Sequence, residues 1–497
     1  MEKSKNYEDL ESRWSFMCEG IEDQTILKNT MMVLENSANY MVDNDLVTED
    51  VMQELLGEAS SNPNVSPADG NSAIGTSTTG KVANYVVPKV MLPVIRRVMP
   101  QLIANELVSV QPINGKTGVV FYAEYQYSDD KGGVAANQAF TGNYPQDLAG
   151  NANVNLKGQA FYSSQKCGPY TVTGDGSTTA FDITEAYAAS TMTLIGAEAY
   201  PDAGGAMVVP TVVYKAASGG FTGGFTVTFT TAPVDDATYT VFVKYKQESS
   251  DKIPEMQFQI LSKSVETVER KLKVRFTREA MQDLKAHFNL DLDSELVKMA
   301  TIEMNYEIDR EIIQSIDRAV PTELSFSHNW DFNGGTTSNN VWTPNAIYNY
   351  LDRHRALAQS IFSLSGKMAQ YNRQGSANWA VVSPKVAALL MMLPEFQKEP
   401  MSANPNIYTI GSMNKIKYFV DPNRVGADEK TILLGFKSPI SSFGAGIVYA
   451  PYANWMTPSI YDPNTFDENK GFFSRYAIVL VPRGQWFYAK LNITHLD

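Results

Sequence analysis

Apolar side chains recur at α-helical spacing over residues 293–318, where Asp293 can cap the start of the helix. Six residues share the broad apolar face of this predicted helix: Ile302, Tyr306, Ile308, Ile312, Ile313 and Ile316. Four charged residues lie on the opposite face: Glu303, Glu307, Arg310 and Glu311. The pattern predicts a long amphipathic helix with one buried side and one wet side. A shorter helix, capped by Thr277, is expected to end at about His287.

Alternation of apolar and polar residues predicts strands elsewhere. In residues 118–128 one side of the predicted strand is formed by Val119, Phe121, Ala123 and Tyr125. Residues 268–276 alternate in the same way, and their polar side carries Lys271, Lys273 and Arg275. Residues 128–165 are rich in Gly, Ala, Asn and Gln, which favours an extended loop.

Residues 166–247 differ in composition from the chain on either side of them. Short Thr-, Val- and aromatic-rich segments recur there between turn residues. Phe225, Val227 and Phe229 fall on one side of a predicted strand, with threonines on the other. This pattern predicts a small β-sandwich-like module inserted into a host domain.

The remaining segments have distinct patterns. Residues 345–440 alternate helical and extended stretches, including a helix over 384–393 that starts at Pro384, and strands dominate the last sixty residues. Residues 1–58 show helix-like spacing in places and predict short amphipathic helices. Residues 59–80 are small, polar and punctuated by Gly and Pro, which is typical of a linker.

Charge is distributed unevenly along the 497 residues, whose net charge is −13. Residues 1–58 carry fourteen Asp and Glu against four Lys and Arg, a net −10, whereas the other 439 residues carry 40 acids and 37 bases. Such asymmetry is typical of a tail, a partner-binding arm or a removable piece. Without an apolar run of about 18 residues, a signal core or a cysteine framework, the sequence indicates a cytosolic product with no membrane span.

Candidate chemistry is sparse. Glu303, Glu307 and Glu311 could line a carboxylate metal site, but no histidine accompanies them, so an ordinary wet helix face is favoured. The peptide NGKTG (114–118) lacks the first glycine of a phosphate-binding loop and is better explained as a turn before a strand. No set of nucleophile, base and orienting residue can be assembled. We therefore expect no enzyme, no metal and no cofactor.

Four stretches lie along the chain at 95–121, 276–296, 303–312 and 445–478. In this order they resemble the major capsid protein of T-even-type contractile-tailed phages, which has the α+β Hong Kong 97 capsid fold. The resemblance divides the chain into a leader (1–58), an N-arm and linker (59–92), the start of the peripheral domain and of the E-loop (93–165), an inserted β-sandwich-like domain (166–247), the E-loop return with the spine helix and peripheral domain (248–344), an axial domain (345–440) and peripheral-domain strands (441–497).

The resemblance implies hexameric capsomers that form an icosahedral or prolate head around double-stranded DNA, assembled in the host cytoplasm. It implies a vertex protein, a portal, a scaffold, a maturation protease and decoration proteins as partners, with non-specific contact to DNA on the inner face. The protease of the family cuts after Glu in an apolar-x-Glu motif. Leu56 and Glu58, followed by Ala59, fit that motif at the junction of leader and linker. We therefore expect removal of residues 1–58 on maturation.

Three alternatives stay open at this point. A pentamer-forming vertex paralogue and an encapsulin-like compartment would share the fold. The β module over 166–247 could instead make the chain a glycan-binding adhesin.

Overall fold

The chain forms a mixed α+β structure with two units. The computed structural model describes residues 7–15, 18, 20–43, 102–129, 131, 137, 139, 163–204, 206–218, 221–248, 253–288, 292–322, 327–332, 336–338, 341–343, 350–399, 407–438, 444–457, 460–462, 465 and 467–494. The first unit comprises Met1–Tyr122, Ser262–Ala369 and Gln374–Asp497. The second comprises Ala123–Leu261 and Gln370–Arg373.

Seven α-helices lie in the described residues, and one of them confirms a predicted cap. They are α1 (Tyr7–Trp14), α2 (Gln24–Asp43), α3 (Ala104–Leu107), α4 (Arg278–Phe288), α5 (Leu292–Ala319), α6 (Tyr350–Asn372) and α7 (Pro384–Leu390). Thr277 Oγ1 accepts a hydrogen bond from the Ala280 amide (3.3 Å) at the start of α4. α5 begins at Leu292, so the prediction that Asp293 caps it is wrong, since Asp293 lies inside the first turn. α5 ends at Ala319, one residue beyond the prediction, whereas α7 ends at Leu390 rather than at residue 393.

A five-stranded sheet forms one part of the first unit. Its strands are β1 (Ser109–Val110), β10 (Val268–Phe276), β19 (Ile447–Met456), β20 (Ile460–Tyr461) and β21 (Glu468–Leu480). The order is β1-β19-β21-β10, with β20 also paired to β21. β1 runs parallel to β19, and the other pairs are antiparallel. The strand predicted over 268–276 is thus confirmed as β10.

The long helix α5 packs on one face of this sheet. Leu272 and Val274 of β10 and Phe472 of β21 lie in one apolar cluster with three residues of α5: Val297, Ala300 and Met304. Ile302, which we expected on the buried side, is exposed. The first half of α5 buries the stripe through Ala300 and Met304, and Ile302 lies two positions away from both. The apolar face therefore shifts along the helix because its two halves meet different neighbours.

A seven-stranded sheet forms the other part of the first unit. Its strands are β11 (Ser327–Asp331), β14 (Trp379–Val382), β15 (Gln397–Lys398), β16 (Tyr408–Met413), β17 (Ile416–Val420), β18 (Thr431–Gly435) and β22 (Tyr488–Thr494). The order is β11-β22-β18-β14-β17-β16-β15. β22 pairs with β18 and so differs from the expectation that every strand after residue 440 joins the peripheral strands. A separate two-stranded pair joins β12 (Thr336–Ser338) and β13 (Val341–Thr343).

Two three-stranded sheets form the core of the second unit. Their strands are β3 (Lys166–Thr173), β4 (Ala180–Thr184), β5 (Thr193–Pro201), β6 (Thr211–Lys215), β7 (Gly224–Thr228) and β8 (Thr238–Lys246). The orders are β3-β8-β5 and β4-β7-β6. Phe225, Val227 and Phe229 are buried in one cluster with Val241 and Val243 of β8. The predicted alternation is confirmed, because the threonines between these residues are more exposed.

A long two-stranded ribbon consists of β2 (Thr117–Tyr127) paired with β9 (Met256–Glu266). The predicted strand over 118–128 is confirmed as β2, and NGKTG leads into it as expected. Most positions of β9 are exposed or half-buried. One end of the ribbon packs on the five-stranded sheet through Val120 and Val265, whereas much of the rest of β9 is open to solvent.

Candidate assembly surfaces

One face of the ribbon within the second unit is apolar and open to solvent. Four residues form this ribbon face: Tyr125, Met256, Phe258 and Ile260. They retain between 53% and 64% of their accessible surface. Tyr125 and Phe258 lie on the same face, because their ring centroids are 5.1 Å apart. A contiguous exposed apolar patch of this kind marks an interaction site.

The stability of such a ribbon also indicates a partner. An isolated pair of strands is marginally stable in water, because ordering its backbone costs more than its own side chains recover. Val119 and Phe121, which precede Tyr125 on β2, are also nearly half exposed. The sequence pattern predicted this apolar side, and the resemblance assigned it to the extended E-loop. In the single chain this side is largely exposed.

The acidic segment at the beginning of the chain forms a helical pair. Asp23 caps α2, because its Oδ1 accepts from the Thr25 amide (2.7 Å). Glu35 of α2 is buried and accepts from Trp14 Nε1 (2.8 Å) and from Arg13 Nη1 (2.9 Å). Trp14 is fully buried, so this carboxylate joins α1 to α2 through one aromatic and one charged donor.

Helix α2 lies on the five-stranded sheet. Asn36 Nδ2 donates to the Ile113 carbonyl (3.0 Å), and Asn29 Nδ2 donates to the Val110 carbonyl (3.3 Å). The Tyr40 ring stacks near Phe473 (centroids 6.2 Å apart), under the Arg475 guanidinium at 5.4 Å. These contacts hold the acidic segment against strands that come from the far end of the sequence.

The two helices α2 and α5 lie on opposite faces of that sheet. Phe472 of β21 packs with α5, whereas the next residue, Phe473, packs with Tyr40 of α2. Successive side chains of a strand point to opposite faces. The sheet therefore has α5 on one side and α2 on the other, and the acidic segment supplies a layer of the first unit.

The charged residues predicted on the polar face of α5 occupy different environments. Glu303 and Glu307 are exposed, while Arg310 and Glu311 are half-buried. Glu311 accepts a hydrogen bond from the Tyr476 hydroxyl, and its Oε2 lies 2.6 Å from Nη2 of Arg270. Burial, followed by this hydrogen bond, raises the pKa of Tyr476. Glu311 therefore joins α5 to β10 and β21, whereas the sequence indicated only a wet surface residue.

Asp309 is a buried acid that the helical pattern did not identify. It is 5% exposed, and its Oδ1 accepts from the Ile103 amide at 3.0 Å. Burial raises the pKa of Asp309 to about 8, against the smaller opposing effect of that hydrogen bond. The carboxyl therefore carries its proton at neutral pH. It joins the segment before α3 to the middle of α5.

The cleavage motif at Leu56, Glu58 and Ala59 lies outside the described residues, as do the predicted linker and N-arm. Within the described part of the chain, no group of three His, Cys, Asp or Glu side chains is arranged to hold a metal ion. None of the described helices is long and apolar enough to cross a membrane. Cys18 and Cys167 are buried and are not joined in a disulfide.

The described residues combine an exposed apolar ribbon face with a long helix that packs on a sheet. The family model described as "Major capsid protein Gp23" matches residues 84–491. The chain therefore belongs to the Gp23 major capsid protein family and is a structural protein of a capsid shell.

Curated relatives agree with this family. The chain is 24% identical over 432 residues to the major capsid protein of Enterobacteria phage T6, a match that covers 82% of this chain and 81% of the relative. It is 26% identical over 431 residues to that of Vibrio phage KVP40, covering 82% and 78%. Among solved structures, the jumbo bacteriophage PhiKZ capsid is similar with a TM-score of 0.35 at 9% identity, covering 78% of this chain and 91% of that chain.

Proposed function

We propose that this chain is the repeating subunit of the phage head. It assembles as hexameric capsomers into an icosahedral or prolate shell that encloses double-stranded DNA. The observation that carries the proposal is the exposed apolar ribbon face on a chain of the Gp23 family. The ribbon is part of the E-loop, α5 is the spine helix, and 345–440 form most of the axial domain. The vertex protein, portal, scaffold, maturation protease and decoration proteins are the partners that the family resemblance adds.

The energetics favour assembly through the ribbon face. Burying a side chain such as Phe or Met stabilises by about 1.5 to 3 kcal/mol, and each of the four residues has about half of that still to gain. A single ribbon contact therefore supplies a few kcal/mol at most, after the cost of association. Many identical contacts in one lattice make the shell stable, because each later contact forms at a high effective concentration.

Substitution of the ribbon face tests this function. Phe258→Ser removes an aromatic side chain that is 53% exposed in the single chain, so the stability of the subunit should barely change. Assembly measured by sedimentation should require at least about tenfold more protein, because about 1.4 kcal/mol per contact corresponds to a factor of ten. Val234→Ser is the matched control, since Val234 is 70% exposed in a turn before β8. Equal assembly of both variants would refute a role for the ribbon.

We further propose that cleavage after Glu58 removes the acidic leader. The leader carries −10 of the net charge of −13. Its loss would lower repulsion between the shell lining and the DNA phosphates, whose binding responds mainly to charge. Mass spectrometry of mature particles should find Ala59 as the first residue. Peptides from residues 1–58 at full stoichiometry would contradict the cleavage.

A further inference from the structure

We infer that the leader has its own docking site on the five-stranded sheet and stays bound there without a covalent connection. Cutting the chain and releasing the leader are then two separate events. The inference rests on the proposed cleavage only for its biological setting. The docking itself is a property of the described residues of α1, α2 and the sheet.

The first observation is the burial of α2. Met31, Val33, Leu34 and Ala38 of α2 are all buried, and so are polar neighbours on the same two turns. A surface helix buries one stripe and exposes the other. A helix that is enclosed on several sides by α1 and the sheet is part of the core of its unit. Removal of α2 would expose these buried apolar side chains, and the surface that they cover, to water.

The second observation is the set of directed polar contacts beneath the helix. Asn36 is 5% exposed and donates to the carbonyl of Ile113, which lies where β1 leads into the ribbon. Asn29 donates to the carbonyl of Val110 at the end of β1. If α2 covered this surface in a different register, both carbonyls would be buried without their donors. Buried polar groups without partners are costly, so the helix is held in one register.

The third observation is the aromatic contact at the C-terminal part of α2. The Tyr40 ring lies within 6.5 Å of the ring centroids of Tyr452, Trp455 and Phe473. The Arg475 guanidinium lies 5.4 Å from the Tyr40 centroid. Aromatic pairs and cation–π contacts add to plain burial. This site on the sheet therefore fits the leader itself, through the contacts that α2 makes in the structure.

An engineered cut separates docking from tethering. A recognition sequence for a protease with no other site in the chain is inserted within residues 59–80 of the full-length protein. After cleavage, size-exclusion chromatography at a concentration on the order of 1 μM should elute leader and body together. Because the protease is added, the result does not depend on whether Glu58 is ever cut in the phage.

Two leader variants make the test specific. Asn36→Ala removes the buried donor and should speed dissociation of the cut leader at least tenfold. Asn39→Ala, three residues further on and exposed, is the matched control and should behave like the unsubstituted leader. Circular dichroism of the uncut variants checks that both remain folded. Separation of the unsubstituted leader from a folded body, or equal dissociation rates for the two variants, would overturn the inference.

Discussion

The buried carboxyl of Asp309 makes the stability of the first unit depend on pH. Its folded-state pKa is about 8, while an exposed aspartate has a pKa of about 3.9. Between these values the folded chain holds a proton that the unfolded chain has released. Unfolding therefore releases a proton, and the stability contributed by the neutral carboxyl is complete below about pH 4 and declines until about pH 8.

Asp309→Asn removes this dependence and keeps the hydrogen bond. The amide oxygen of asparagine can still accept from the Ile103 amide, which now lies 3.0 Å from Oδ1. One proton of linkage corresponds to about 1.4 kcal/mol per pH unit. From pH 5 to pH 8, the unfolding free energy of the wild type should fall by about 3 to 4 kcal/mol relative to the variant.

Urea unfolding of the unassembled full-length chain at pH 5, 6, 7 and 8, followed by tryptophan fluorescence, measures that difference. At each step up in pH, the unfolding free energy of the variant should rise relative to that of the wild type. Glu307→Gln, which neutralises an exposed acid on the same helix, is the control and should track the wild type. A difference in unfolding free energy between wild type and Asp309→Asn that stays constant from pH 5 to pH 8 would refute a neutral Asp309, because a carboxylate that is ionised in both states releases no proton on unfolding in that range.

Two further substitutions test the packing of the first unit. Gly435→Ala should lower the unfolding free energy by about 1 to 3 kcal/mol in urea titration, because a Cβ there would overlap the Trp379 ring. Tyr476→Phe should cost about 1 kcal/mol, since Glu311 loses a hydrogen bond while keeping a partly solvated ion pair. Glu303→Ala, on the exposed side of the same helix, should change the urea midpoint little. A cost from Glu303→Ala equal to that of Tyr476→Phe would contradict the proposed link between α5 and the sheet.

Local signals in the sequence were sufficient for most single elements. The period of the apolar residues gave α5 to within one residue at each end, and Thr277 marked the start of α4. The alternation around Phe225 and Val227 identified the buried side of a strand in the inserted module. Each of these features depends on residues that are close together in the chain, so pattern alone can find it.

Features that depend on distant partners were not predictable in the same way. The sequence pattern places Glu311 on the surface, because the Tyr476 hydroxyl that donates a hydrogen bond to it comes 165 residues later in the chain. The burial of Asp309 is not predictable from its neighbours in the sequence, because its hydrogen-bond donor, the Ile103 amide, is distant in the chain. The burial of α2 is the largest such case. Its acidic context suggested a tail, a partner-binding arm or a removable piece, whereas its neighbours on the sheet come from β19 and β21.

Cryo-electron microscopy of assembled particles tests the central claim most directly. The account predicts that the ribbon face of Tyr125, Met256, Phe258 and Ile260 is buried against a neighbouring copy of the chain. Particles in which these four side chains face solvent, or in which the ribbon folds onto its own subunit, would contradict it.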